Sequence, residues 1–249
     1  MLRLDRIPEA TRRVFEQLAT HPLLNGFTLI GGTALALQIA HRTSEDLDFW
    51  YPAEHLDKRV ISSVLQSIQD IGFNVELVTP HHQIVAEKIN GRDLLSCVQD
   101  YVIDNVKVTF FARNDLAYDY FNSFSRVGDT GSTFSIMGEE GLFSMKSLVI
   151  HQRVRSRDLY DLKSFMERGK SLDDIFSAAS TADPACSTEY AKSVLTGDVP
   201  LDKNDEGFNS IDVNESIQDI YAFFTSAIND YEQAIATEIM RATRPIIRE

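Results

Sequence analysis

The sequence predicts an α+β protein in which a sheet flanked by helices is followed by a helical domain. Up to about residue 137, short apolar segments of strand character alternate with amphipathic helical segments. From about Glu139 the apolar spacing becomes helical. We therefore expect a sheet domain over residues 1–137 and a helical domain over residues 138–249.

In the first domain, helical and strand segments follow one another closely. Residues 56–71 show the helical pattern most clearly, because their apolar side chains form one stripe at helical spacing. Helices are expected over residues 7–19, 33–40 and 56–71, with Thr33 as the N-cap of the second. Strands are expected over residues 27–30, 47–50, 73–78, 84–89, 94–102 and 106–111, with a turn at Asp104-Asn105.

The second domain combines helices with an acidic surface. Helices are expected over residues 139–151, 157–168, 172–179 and from about 214 to about 242, with a polar loop over residues 196–212. Residues 171–249 hold 15 of the 37 acidic residues but only 5 of the 24 basic ones. This surface is either a solvated face or an interface for a basic protein. A basic patch on the nearly neutral first part can still face a phosphate backbone.

Composition indicates a globular protein that acts in the cytoplasm. No apolar run approaches the roughly 18 residues of a membrane span, so we expect no membrane partner. The N-terminal segment lacks the apolar centre of a signal peptide. Cys97 and Cys186 fit neither a metal spacing nor a disulfide framework, which favours a reducing compartment.

The segment from Leu29 to Trp50 carries the clearest functional pattern. A predicted strand ends in Gly31-Gly32, and a helix follows at once. Glycines let a phosphate approach the backbone, and the N–H groups at a helix start favour anions. Asp46 and Asp48, about fifteen residues later, flank a core residue of the next strand. Residues two apart on a strand project from one face, and such a carboxylate pair suits Mg²⁺ or Mn²⁺.

Four motifs occur in a fixed order along the chain. Gly-Gly-Thr-Ala-Leu-Ala-Leu begins at Gly31, and His-Arg-x-Ser-x-Asp-Leu-Asp-Phe ends at Phe49. A Glu…Lys helix over residues 139–146 and Arg-Asp-Leu-Tyr-Asp-Leu over residues 157–162 follow. In this order they resemble the AbiEii/AbiGii family of nucleotidyltransferase-like toxins, with the similarity covering roughly residues 25–170. The resemblance implies a mixed sheet flanked by helices, similar to DNA polymerase β-type nucleotidyltransferases, and a toxin of a type IV toxin–antitoxin or abortive-infection system.

The motifs indicate roles for individual residues. Asp46 and Asp48 are expected to bind the metal. Lys146 is expected to contact a triphosphate, with Asp158 and Asp161 in support because they lie three residues apart on one helical face. Nucleotide-binding positions are expected at Gly31, Gly32, Thr33, Arg42 and Ser44. Arg153, Arg155 and Arg157 form the densest basic run with Lys146 and are candidates for contacting a nucleic-acid backbone.

One position departs from the wider fold, in which a third carboxylate sits on a later strand. The matching position on the strand over residues 106–111 is Thr109, and Asp104 lies before that strand. The departure leaves open whether the site holds one metal or two, and whether catalysis is weak.

The leading hypothesis is a metal-dependent nucleotidyltransferase that transfers a nucleoside monophosphate from an NTP to an RNA, such as tRNA, or to another acceptor. Its partner would be an antitoxin of the winged-helix type. Two alternatives remain open: an NTP-dependent phosphotransferase, and a nucleotide-binding or partner-binding module with little catalysis.

Overall fold

The computed structural model describes residues 2–242, which form two compact units. The first unit comprises the described residues up to Ser144 together with Ser210–Asp212. The second comprises Met145–Asn209 and the described residues from Val213 onward. The division falls inside one helix, α7 (Glu139–Val149), whereas the boundary predicted from the sequence lies just before that helix.

The first unit contains a mixed sheet of short strands. Its strands are β1 (Thr28–Ile30), β2 (Leu47–Tyr51), β3 (Val75–Leu77), β4 (Val98–Ile103), β5 (Val106–Ala112) and β6 (Ser135–Ile136). Its helices are α1 (Glu9–Ala19), α2 (Gly31–Ile39), α3 (Lys58–Asp70), α4 (His81–Ile89), α5 (Leu94–Cys97) and α6 (Leu116–Asn122), and α7 (Glu139–Val149) begins here. The strand order is β3-β4-β5-β2-β1-β6. Pairs β1–β6 and β2–β5 are parallel, whereas β1–β2, β3–β4 and β4–β5 are antiparallel. The predicted fold class is confirmed.

An aromatic cluster of this unit lies against one face of the central strands. Phe49 on β2 stacks on Phe110 on β5 with ring centroids 5.3 Å apart. Phe134 contacts Phe49 edge-on at 4.9 Å and Phe15 of α1 at 5.5 Å. Because strand side chains alternate between faces, burying Phe49 places its neighbour Asp48 on the opposite face.

Two predicted strands are wrong. Residues 84–89 belong to the helix α4, although Ile84, Val85 and Ile89 favour a strand by composition. No residue of α4 is buried, and Ile89 is 80% exposed. Because no described strand pairs with this segment, it forms a helix whose first backbone hydrogen bonds are to the Pro80 carbonyl. Residues 94–97 form the helical turn α5, and β4 begins only at Val98.

The turn between β4 and β5 is confirmed. Asp104 and Asn105 have positive φ angles of 46° and 68°, the conformation that a two-residue hairpin turn requires. The remaining predicted strands are confirmed, with ends that differ by a few residues.

The second unit is helical, as predicted. It contains the end of α7 and the helices α8 (Ser156–Glu167), α9 (Leu172–Ala182), α10 (Thr188–Thr196) and α11 (Ile217–Ala242). α11 packs against α8, α9 and α10. α10, like α6 in the first unit, is not among the helices predicted from the sequence. Within residues 2–242, no helix combines the length and the apolar character needed to cross a bilayer.

The start of α9 yields a stability prediction. Ser171 accepts a hydrogen bond from the Asp174 backbone, and Asp174 accepts one from the Ser171 backbone, which completes a capping box. Ser171→Ala should lower the free energy of unfolding by about 1 kcal/mol, measured by urea denaturation. Ser180→Ala, an exposed change within the same helix, is the control and should cost nothing, because alanine has the higher helix propensity. Equal effects of the two changes would contradict a capping role.

Candidate active site

The glycine turn and the second carboxylate of the acid pair are in direct contact. Ile30, the last residue of β1, pairs with Asp48 on β2. Gly31 then begins α2 with a φ of +78°. A Cβ atom at Gly31 would lie only 2.7 Å from Asp48 Oδ2. The missing side chain at Gly31 therefore makes room for the Asp48 carboxylate. The sequence pattern predicts that it also makes room for a phosphate.

Gly32 is packed in a similar way against Arg42 and Ser44. A Cβ atom at Gly32 would collide with the Arg42 guanidinium and would lie 3.1 Å from Ser44 Oγ. Arg42 and Ser44 are both buried, and Arg42 donates a hydrogen bond to the Thr43 carbonyl at 3.0 Å. Both side chains thus support the turn from inside the fold, and contact between them and a nucleotide stays a prediction.

The predicted N-cap role of Thr33 is wrong. α2 begins two residues earlier than predicted, with Ile30 at the N-cap position. The Thr33 hydroxyl donates instead to the Asp46 carbonyl and lies 2.9 Å from Ser44 Oγ. This long-range bond ties the segment that carries Asp46 to the first turn of α2.

Asp46 and Asp48 differ in their position relative to β2. Asp48 lies on β2, as predicted, whereas Asp46 immediately precedes the strand, so strand alternation does not set its direction. Both are partly exposed. Two carboxylates at the end of a strand suit a hard divalent cation, which takes its remaining ligands from water and substrate phosphates. Over residues 2–242, no three His, Cys, Asp or Glu residues come together as a metal-binding group.

Lys146 lies in a buried ionic cluster of the second unit. Its ammonium is 2.6 Å from Asp158 Oδ1 and 2.6 Å from Asp161 Oδ2. Lys146 is 7% exposed, Asp158 2% and Asp161 0%. The Arg153 guanidinium is 2.8 Å from Asp158 Oδ2. The predicted shared face of the two aspartates is confirmed, since one ammonium reaches both.

The charges of this cluster set the protonation of Asp158. Burial alone would raise the pKa of the Asp158 carboxyl, but Lys146 and Arg153 outweigh it and hold that pKa below its ordinary value. Asp158 is therefore the anionic partner that keeps the buried Lys146 charge compensated.

Two residues of the predicted arginine run have acidic partners in the same unit. Arg153 binds Asp158, as above, and Arg157 lies 2.8 Å from Glu206 and donates to the Gly207 carbonyl at 3.0 Å. Their role toward a nucleic-acid backbone stays a prediction.

Asp100 is not among the site residues predicted from the sequence. It lies on β4 opposite Thr109, whose hydroxyl donates to Asp100 Oδ1 at 2.8 Å. The turn at Asp104-Asn105 was the available signal. A two-residue turn pairs Ile103 with Val106, and counting outward along both strands brings Asp100 opposite Thr109.

Together, the mixed sheet, the glycine turn and the acid pair agree with the nucleotidyltransferase fold expected from the sequence. The family model described as "Nucleotidyl transferase AbiEii toxin, Type IV TA system" matches residues 13–238. The chain therefore belongs to the AbiEii family of nucleotidyltransferase toxins, which confirms the resemblance in the motifs.

Individual relatives are distant. An uncharacterized protein of Aquifex aeolicus, aq_aa25, is 25% identical over 66% of this chain and 69% of its own length. The crystal structure of a candidate nucleotidyltransferase from H. pylori is 18% identical, covers 94% of this chain and 97% of its own, and has a TM-score of 0.50. The toxin MenT4 of Mycobacterium tuberculosis is 14% identical, covers 88% and 86%, and has a TM-score of 0.47. At such identities the H. pylori likeness shows the fold alone.

The contact between Gly31 and Asp48 yields a second prediction. Gly31→Ala should place a methyl group against the Asp48 carboxylate, displace it and abolish transfer activity, measured as incorporation of labelled nucleotide. Gly91→Ala is the matched control, because Gly91 has a φ of +75° and a Cβ atom there would meet no described atom within 4 Å. Both changes carry left-handed backbone strain of about 1–2 kcal/mol. Equal activity of the two variants would show that the contact is unimportant.

The Asp158 cluster yields a pH prediction. A carboxyl with a lowered pKa in the folded state stabilises the fold above its unfolded pKa, about 3.9, and that contribution is lost as the pH falls through the lower folded value. The wild-type free energy of unfolding should therefore drop on acidification below about pH 4. Asp158→Asn should be less stable at pH 7 and should show a shallower acid dependence in urea titrations. Parallel pH profiles of the two proteins would contradict this assignment.

Proposed function

We propose that this protein transfers a nucleoside monophosphate from an NTP to an RNA acceptor, with a divalent cation bound at Asp46 and Asp48. The observation that carries the proposal is the contact between the glycine turn and the acid pair, in a chain of the AbiEii family. The contact supports the proposal because the start of a helix favours anions and a carboxylate favours cations.

The first turn of α2 is suited to bind phosphate. α2 has nine residues, and its N-cap residue, Ile30, makes no side-chain capping hydrogen bond. The N–H groups of a first helical turn lack partners within the helix, and the helix dipole favours negative charge there. Gly31 and Gly32 present backbone without a side chain at this point.

Mg²⁺ or Mn²⁺ at Asp46 and Asp48 would neutralise phosphate charge in the reaction. The residues of the chain itself supply orientation. Thr33 holds the Asp46 segment on the helix start, and Gly31 allows Asp48 to lie against it. Positioning and charge neutralisation account for most of the catalysis of such reactions.

Lys146 would contact the β- or γ-phosphate. An ammonium has three N–H donors, and Asp158 and Asp161 receive two of them in this structure. The two carboxylates would then act as positioning groups that fix the direction of the third donor.

The family supports an antitoxin as the protein partner and does not name the acceptor. A type IV toxin acts together with an antitoxin, and we propose a winged-helix protein in this role and the cytoplasm as the place of action. For the acceptor we propose an RNA such as tRNA, whose backbone would contact the arginines at positions 153–157.

A labelling experiment tests the proposed reaction. Purified protein with total tRNA, Mg²⁺ and α-labelled NTPs should label the RNA, whereas γ-labelled NTPs should not. Asp48→Asn should abolish labelling, because it removes one cation ligand with little change in volume. Asp119→Asn, an exposed change in the same unit, should retain full activity.

Other outcomes would assign a different function. Label from the γ-position would indicate phosphoryl transfer. An absence of label from either position, with RNA and protein acceptors both tested, would favour a binding module with little catalysis. The non-acidic Thr109 is the observation that favours this second candidate.

A further inference from the structure

Three polar residues form a row across adjacent strands on the face that carries Asp48. Asp48 on β2 pairs with Thr109 on β5, and Thr109 pairs with Asp100 on β4. Directly paired residues project from the same face of a sheet. With a strand spacing of about 4.8 Å, the Asp48 and Asp100 backbones lie roughly 10 Å apart, with Thr109 between them.

The Thr109 hydroxyl is polarised in one direction. It donates its single proton to Asp100 Oδ1 over 2.8 Å. A hydroxyl has one donor and two acceptor lone pairs, so a proton committed to Asp100 leaves Thr109 Oγ1 to act as an acceptor toward its other neighbours. An acceptor in this position suits a cation or a water molecule bound to a cation.

Asp100 is firmly placed for this purpose. Its backbone N–H donates to the Thr79 hydroxyl at 2.8 Å, and its carbonyl accepts from Val78 at 2.8 Å and from Thr79 at 3.3 Å. Asp100 is therefore held on both edges of β4, by the 78–79 segment and by β5. A carboxylate with a fixed backbone and a fixed hydrogen bond can direct the Thr109 proton reliably.

We propose that Thr109 and Asp100 together replace the third carboxylate of the site. Thr109 Oγ1 accepts a hydrogen bond from a water of the cation held by Asp46 and Asp48, and Asp100 is a positioning residue that fixes the proton of Thr109 and adds a negative charge. Asp100 would lie outside the shell of groups that bind the cation directly. This position agrees with the distance between the Asp48 and Asp100 backbones and with the lack of a three-ligand group in the described residues. Mg²⁺ and similar cations retain several waters, which need such acceptors. This inference deepens the proposed function and rests on its cation site.

The test is the affinity for Mn²⁺ alone, measured without nucleotide by electron paramagnetic resonance of free Mn²⁺. Asp100→Asn and Thr109→Val should each weaken Mn²⁺ binding about tenfold, which is the lower end of the loss typical when a residue that orients metal ligands is changed. The double variant should be no weaker than either single one, because the pair acts as one unit. Glu76→Gln is the control. Glu76 on β3 pairs with Val102 on β4 and therefore projects from the same face of the sheet as Asp100, one strand further from Asp48. It should bind Mn²⁺ like the wild type.

A charge-relocation variant separates this role from a structural one. Thr109→Asp combined with Asp100→Asn moves the carboxylate to the strand beside Asp48 and should restore Mn²⁺ affinity. Unchanged affinity in Asp100→Asn, failure of the relocated carboxylate to restore binding in a variant with an unaltered circular dichroism spectrum, or no Mn²⁺ binding by the wild type would each overturn the inference. The predicted Mn²⁺ losses together with no RNA labelling by the wild type would sustain this inference and reject the proposed reaction.

Discussion

The contact between Gly31 and the Asp48 carboxylate is the constraint on which the first unit is built. Antiparallel pairing of Ile30 with Asp48 brings the end of β1 beside the start of β2, and a side chain at position 31 would occupy the place of the carboxylate. The same pairing puts the N-terminus of α2 next to that carboxylate. The start of α2 and the Asp48 carboxylate thus become neighbours because one Cβ atom is missing.

Burial of the polar residues around this contact follows from the same constraint. Arg42 and Ser44 pack under Gly32, and Thr33 reaches back to the Asp46 carbonyl. A polar group is buried at low cost only when it has a partner, and these groups find partners in one another or in nearby backbone. The residues between the glycines and the acids therefore serve as a support for the turn, which explains why a polar string such as His-Arg-Thr-Ser-Glu occurs beside a buried strand.

The second unit contains a buried cluster of charged side chains. Lys146 is buried with two carboxylates, and Arg153 supplies a second positive charge at the edge of the cluster. Removing one member would leave an uncompensated buried charge, which typically costs several kcal/mol. The motif that carries the family resemblance in this region is therefore also a determinant of stability, so loss of activity in variants here requires a separate measurement of folding.

The sequence by itself determined the features that depend on local order. Helical spacing identified α1, α3, α8 and α11, the turn residues Asp104-Asn105 identified the β4–β5 hairpin, and the motifs identified the AbiEii family. Only the tertiary structure decided whether residues 84–89 form a strand or a helix, and where the Thr33 hydroxyl binds. The reason is physical. A segment rich in β-branched residues forms a strand only when a partner strand is available. A hydroxyl donates to an acceptor that the fold places within hydrogen-bond distance. Periodicity and turn chemistry are properties of neighbouring residues, whereas these contacts depend on segments that are distant along the chain or on the absence of such a segment.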